Sequence, residues 1–183
     1  SFALMCLEEY FSRNKDGSVL ILVPSVALLD QWYVDIITDT SLKAEEISVF
    51  GGGNKNSGKR KVNISTLNTA RKISREILSE NDLLIVDECH KAASKENSKA
   101  ILSSKSYHSL GLSATPERQY DEGFEQILIP RLGPIIIDYS YSKAKKDGVI
   151  CDFELHNVRV RLTDEEQEKY EILTKKIAAV LQN

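Results

Sequence analysis

The chain has 183 residues, 42% apolar and 28% charged, with a formal net charge of −3. That size and apolar content suit one globular domain with an extension, while the mild acidity excludes a protein that holds nucleic acid by overall charge and leaves room only for a local basic patch. No apolar stretch approaches the roughly 20 residues of a membrane-spanning helix, so no membrane partner is expected.

Phe2, Leu4, Met5, Leu7 and Phe11 recur at helical spacing and predict a first helix. This opening lacks the basic leader and small-residue cleavage site of a signal peptide. Asp16-Gly17 is a turn signal. Val19 to Val23 is an unbroken apolar run stopped by Pro24, which predicts a buried strand. Ser25 is placed to cap a helix carrying Leu28, Leu29, Trp32, Ile36 and Ile37. Ile47 to Phe50 predicts a strand, Gly51 to Lys61 a glycine-rich loop, Val62 to Ser65 a strand and Asn68 to Ser79 a basic helix. Leu83 to Val86 is a further apolar strand, Asn97 to Leu102 a helix, His108 to Leu112 a strand and Ile135 to Ile137 another. Strands alternating with helices over short connections predict an α/β fold, a parallel sheet with helices on both faces.

The last forty or so residues read differently. Val149 to Leu162 alternates loosely, as one or two strands would. Thr163, with Glu166 completing a capping box, opens a helix expected over 163–182. Its apolar stripe of Tyr170, Leu173, Ile177 and Val180 has no evident partner in the sequence. The expected division is a domain over 1–138 and an extension over 139–183, within a larger protein.

Chemistry concentrates at two predicted strand ends. Asp87-Glu88 follow the apolar run Leu83 to Val86, and Ser113-Ala114-Thr115 follow the strand ending at Leu112. Parallel strands deliver such residues to one sheet edge, where ligands bind. One carboxylate can hold Mg²⁺ through water while its neighbour polarises an attacking water, the needs of nucleotide hydrolysis. The alternative is a pair of ordinary surface acids. Cys89 has no second cysteine nearby, and the odd, scattered set Cys6, Cys89 and Cys151 forms neither a disulfide nor a zinc framework. A reducing, cytoplasmic compartment is expected.

Asp87-Glu88-Cys89-His90 resembles motif II of superfamily 2 helicases, the DEAD/DEAH-box class, and Ser113-Ala114-Thr115 resembles motif III. Val23 to Trp32 is similar to motif Ia in the branch holding excision-repair helicases and type III restriction ATPase subunits; Ile64 to Thr69 resembles motif Ib. The resemblance covers nearly the whole chain and implies the first RecA-like domain of a P-loop NTPase fold, truncated at its N-terminal phosphate loop. It implies ATP and Mg²⁺ as cofactors, with Asp87 on the metal, Glu88 activating water and His90 coupling the nucleotide site to a second RecA-like domain of the same parent. Ser113, Ala114 and Thr115 would relay the state of that site. Ser25, Gln31, Gly52 and Thr66 would touch a nucleic-acid backbone, contacts that position a strand without reading sequence. The branch favours duplex DNA.

The basic stretch Lys55 to Arg75, including Lys59, Arg60 and Arg71, holds no acid and is expected to contact phosphate, although a solvated loop and helix face would look the same. Gly53 to Lys59 fits G-x-x-x-x-G-K, but Arg60 stands where a Mg²⁺-binding Ser or Thr belongs, and a strand follows instead of a helix. It is not a phosphate loop. Ser1 could be the last residue of the true one, whose lysine the chain lacks. The expected function is the motor-domain fragment of an ATP-dependent DNA helicase or translocase, itself inactive. The alternatives are a non-catalytic nucleic-acid-binding module and a P-loop ATPase without a nucleic-acid partner.

Overall fold

In a computed structural model of the chain, residues 2–53, 58–72, 80–116, 122–151 and 154–181 are described. The chain divides into two compact units, Ser1–Ile136 and Ile137–Asn183.

The first unit is built on a five-stranded parallel sheet: β1 (Val19–Val23), β2 (Ile47–Phe50), β3 (Val62–Thr66), β4 (Leu83–Val86) and β5 (His108–Gly111), in the order β2-β3-β1-β4-β5. Every residue of the central strand β1 is buried, because both sheet faces are covered, as parallel strands require. Alternation sends Val19, Ile21 and Val23 to one face, against Leu7 of α1 (Phe2–Arg13) and Leu29, Trp32 and Ile36 of α2 (Val26–Asp39). Leu20 and Leu22 point to the other, against Leu67 of α3 (Leu67–Ala70), Ala92 and Ala93 of a 3₁₀ turn over Cys89–Ala93, and Ile101 of α4 (Ser98–Ser103). Truncating a side chain as buried as Leu7 or Leu20 to alanine costs about 2–5 kcal/mol. A π-helical turn over Phe124–Leu128 and α5 (Ile129–Leu132) complete this unit.

Buried polar side chains stand on the strands, among them Ser48, Asn63, Ser65 and Thr66. Asn63 on β3 is fully buried, and its amide donates to the Arg60 carbonyl at 2.7 Å while its oxygen accepts from the Arg60 N–H at 2.9 Å. It closes the turn leading into β3, so its burial is compensated.

The second unit contains α6 (Tyr141–Lys146) and α7 (Asp164–Leu181). The Thr163 N–H donates to the Glu166 carboxylate at 2.8 Å, and the Glu166 N–H returns to the Thr163 hydroxyl at 3.4 Å, which is the capping box expected of α7. Tyr170, Leu173 and Ile177 on it are exposed.

Three expectations are corrected. Ile135 to Ile137 is not a strand, and the described part of Val149 to Leu162 contains none. Their apolar side chains are exposed, Ile136 at 78% and Val158 at 80%. A strand exists only through a ladder with a neighbour, and alternation alone supplies none. The helix expected from Asn68 begins one residue earlier, at Leu67, and ends at Ala70, with Arg71 and Lys72 in a turn; residues 73–79, including Arg75, and Lys55 of the preceding loop lie outside the described residues.

Candidate active site at the C-terminal rim of the sheet

Because the strands are parallel, the residues leaving β1, β2, β3, β4 and β5 emerge on one rim. Asp87 and Glu88 leave β4, and Ser113 follows the end of β5. The two exits are laced together by backbone: the Leu112 N–H donates to the Val86 carbonyl and the Cys89 N–H to the Leu112 carbonyl, each at 2.9 Å. The chain turns sharply between them. Glu88 has φ 48° and ψ 49°, and is the one non-glycine residue with positive φ among the described residues. A left-handed glutamate costs roughly 1–2 kcal/mol. The turn lifts the Glu88 carboxylate back toward the rim, where it is half-exposed.

Side chains complete the lacing. His90 Nδ1 lies 2.9 Å from Ser113 Oγ and 3.3 Å from Glu88 Oε2. Ser113 Oγ also accepts from the Thr115 N–H at 3.1 Å. His90 thus joins the acidic pair to the β5 exit. Ala114 and Thr115 are exposed beyond it. Cys89, by contrast, points into the core at 6% exposure. Burial, reinforced by the neighbouring Glu88 and Asp87 anions, pushes its thiol up to about 11. A group that keeps its proton so firmly is a poor nucleophile at neutral pH.

Asp87 borders a cleft of about 270 Å³ lined by Phe2, Leu4, Gln31, Trp32, Asp35 and Leu112, among others. Its Oδ1 accepts from the Glu88 N–H at 2.9 Å and its Oδ2 from the Trp32 indole N–H at 2.8 Å. Each oxygen of an ionised carboxylate has room for a second partner. A hard cation held by one carboxylate through water, the habit of Mg²⁺, therefore fits this donor set. The sequence pattern placed Trp32 on a helix with Leu28, Leu29, Ile36 and Ile37 and did not show this bond. The signal was available: a buried indole N–H needs an acceptor.

The other candidates divide by rim. Ser25, exposed, caps α2 by accepting from the Leu28 N–H at 3.3 Å. Gly52 is exposed on the loop leaving β2. Its neighbour Gly51, at φ 132°, lies so close to α3 that a Cβ there would sit 3.1 Å from Thr69 Oγ1 and 3.2 Å from Thr66 Oγ1. Thr66 is buried and caps α3: its hydroxyl donates to Thr69 Oγ1 at 2.9 Å and accepts from the Thr69 N–H at 3.2 Å. Gln31 is exposed in the same cleft as Asp87. Arg71 donates to Asn68 and lies 3.8 Å from Glu96. Lys59 and Arg60 precede β3 and so sit on the opposite rim, donating to the carbonyls of Glu80 and Glu45. Ser1 lies outside the described residues.

A family model described as type III restriction enzyme, res subunit, matches residues 2–118. The chain belongs to this family. Within superfamily 2 helicases, the chain is a RecA-like domain of the branch shared with excision-repair helicases. It is 32% identical to the DNA 3'-5' helicase XPB of Mycobacterium tuberculosis over 84% of its own length and 29% of that protein's. It is 30% identical to the DNA 3'-5' translocase XPB2 of Sulfurisphaera tokodaii, over 87% of this chain and 35% of the relative. The UvsW helicase of bacteriophage T4 superposes with a TM-score of 0.51 at 25% identity, covering 64% of this chain and 44% of that one. The chain spans about a third of the length of these curated relatives. Among the described residues no helix is long and apolar enough to cross a membrane.

Proposed function

We propose that this chain is the first motor domain of an ATP-dependent DNA helicase or translocase, acting at a cleft completed by a second RecA-like domain of the same parent protein. One observation carries the reading: the acidic pair at the exit of β4 is joined through His90 to Ser113 at the exit of β5. That linkage lets a change at the nucleotide move a second strand end. In this reading residues 1–138 form the motor domain, residues 139–183 lead toward its partner, and the parent works in the cytoplasm. Relatives named as DNA helicases and translocases support DNA as the partner. The DNA is duplex and runs over the C-terminal rim past Ser25 and Gly52.

Asp87 would hold Mg²⁺. When bound, that ion neutralises charge on the phosphate oxygens. Glu88 takes the proton of the attacking water at its carboxylate, and the left-handed turn fixes where that carboxylate stands. His90 holds Glu88 and Ser113 in register. The G-x-x-x-x-G-K stretch of the chain is followed by Arg60 and β3. The isolated 183 residues are therefore expected to bind ATP weakly and to hydrolyse it negligibly.

Glu88→Gln in the full-length protein tests the reading. Removing a general base lowers kcat by about 10²–10⁴-fold, and ATP should still bind, because the metal carboxylate is intact. Turnover within a few-fold of the unmodified protein sinks the role given to Glu88. Turnover that DNA does not stimulate points instead to an ATPase without a nucleic-acid partner.

A further inference from the structure

Trp32 is the only tryptophan in the chain and is buried on the inner face of α2. Its indole carries one donor and no acceptor, so burial forces it to find a partner. A core tryptophan commonly meets that need with a neutral backbone carbonyl. Here the acceptor is a carboxylate, Asp87 Oδ2 at 2.8 Å. A bond to an ionised oxygen is about twice as strong as a neutral one. The Glu88 N–H holds the other oxygen at 2.9 Å. Two donors, one on each oxygen, fix the plane of the carboxylate and leave each oxygen a lone pair. Leu28, Gln31, Trp32 and Asp35 share one face of α2 by helical spacing, and all four line the cleft that Asp87 borders. The indole is thus a wall of the cleft as well as a part of the core.

We propose that Trp32 is a positioning residue for the metal-holding carboxylate, its N–H setting the orientation in which Asp87 receives a hydrated divalent cation. The inference rests on the reading of Asp87 given above. Residues in this relation to a metal ligand typically change metal affinity by 10–100-fold when replaced.

In the full-length protein, Trp32→Phe keeps the aromatic ring and removes only the N–H. The half-saturating Mg²⁺ for DNA-stimulated ATP hydrolysis should rise on the order of 10-fold, with kcat regained at saturating Mg²⁺. Binding of Mn²⁺ to the protein–nucleotide complex, followed by electron paramagnetic resonance, should weaken by the same factor. A variant with a lowered Tm and unmoved Mg²⁺ and Mn²⁺ curves overturns the proposal, since packing alone would then explain Trp32. If Trp32→Phe does not fold, the Nε1–H resonance of Trp32 in the otherwise unmodified protein decides: it should move upfield on Asp87→Asn, and a resonance that stays in place overturns the proposal. Asp87→Asn also separates the two levels of inference. If it abolishes the metal dependence while Trp32→Phe leaves it untouched, only the role of Trp32 falls. If Asp87→Asn itself leaves metal dependence unchanged, Asp87 is not the metal carboxylate, and the role of Trp32 falls with it.

Discussion

Cys89 stands between a catalytic-looking glutamate and a histidine, and its environment makes it chemically silent. Burial raises its thiol from an ordinary 9.0 to about 11. The folded chain therefore keeps this proton at pH values where the unfolded chain loses it. The associated stability is fully present below about pH 9 and is lost as pH climbs from there toward 11. Alkylation at pH 8 should label the exposed Cys151 quickly and Cys89 about 100-fold more slowly or less, at a rate set by local opening. Equal labelling of the two by mass spectrometry would show that Cys89 is not in the core. From sequence, Cys89 stands apart from the other cysteines, and only the fold shows its depth in the core. That a buried indole would need an acceptor was legible; that Asp87 supplies it was not, because the two residues are 55 apart and meet only once α2 packs across β1 toward the end of β4.

Helix α2 shows how one residue can serve both an element and a ligand. Ser25 has the extended backbone of an N-cap, φ −140° and ψ 161°, and its hydroxyl accepts from the Leu28 N–H. Ser25→Ala should cost about 1 kcal/mol of stability. Ser25→Asp should restore the cap and favour the positive end of the helix, yet bring an anion toward the DNA phosphates of the proposed path. Its Tm should therefore match or exceed that of the unmodified protein, while its DNA affinity falls on the order of tenfold. Unchanged DNA binding by Ser25→Asp would leave Ser25 with the capping role alone. The five strands were legible to within a residue because each is a short apolar or alternating run between turn signals. Ile135 to Ile137 and Val149 to Leu162 carried the same composition and failed, since strand identity belongs to a pair of chains and sequence shows one.

The parallel sheet sorts the basic residues of the chain by rim, which a linear reading cannot do. Lys59, Arg60 and Arg71 look like one cluster in sequence. Strand β3 runs between them, so Lys59 and Arg60 enter at the rim away from Asp87 while Arg71 follows α3 at the rim of the proposed DNA path. Five residues of strand separate the two ends by on the order of 13 Å. The first two also have internal work: Lys59 ties to the Glu80 carbonyl and Arg60 to the Glu45 carbonyl, holding the N-terminal ends of β2, β3 and β4 together. If DNA crosses the C-terminal rim, replacing Lys59 and Arg60 together by alanine in the full-length protein should change stability more than affinity, leaving the dependence of binding on salt unaltered. Arg71→Ala should weaken binding to all sequences alike and reduce the slope of log K against log salt by about one phosphate contact. The reverse pattern, a shallower slope for the Lys59 and Arg60 pair and none for Arg71, would move the DNA to the other side of the sheet, far from Asp87 and Glu88. Hydrolysis could then reach the strand only through a second domain, and the direct path from the exit of β4 to the nucleic acid would be lost.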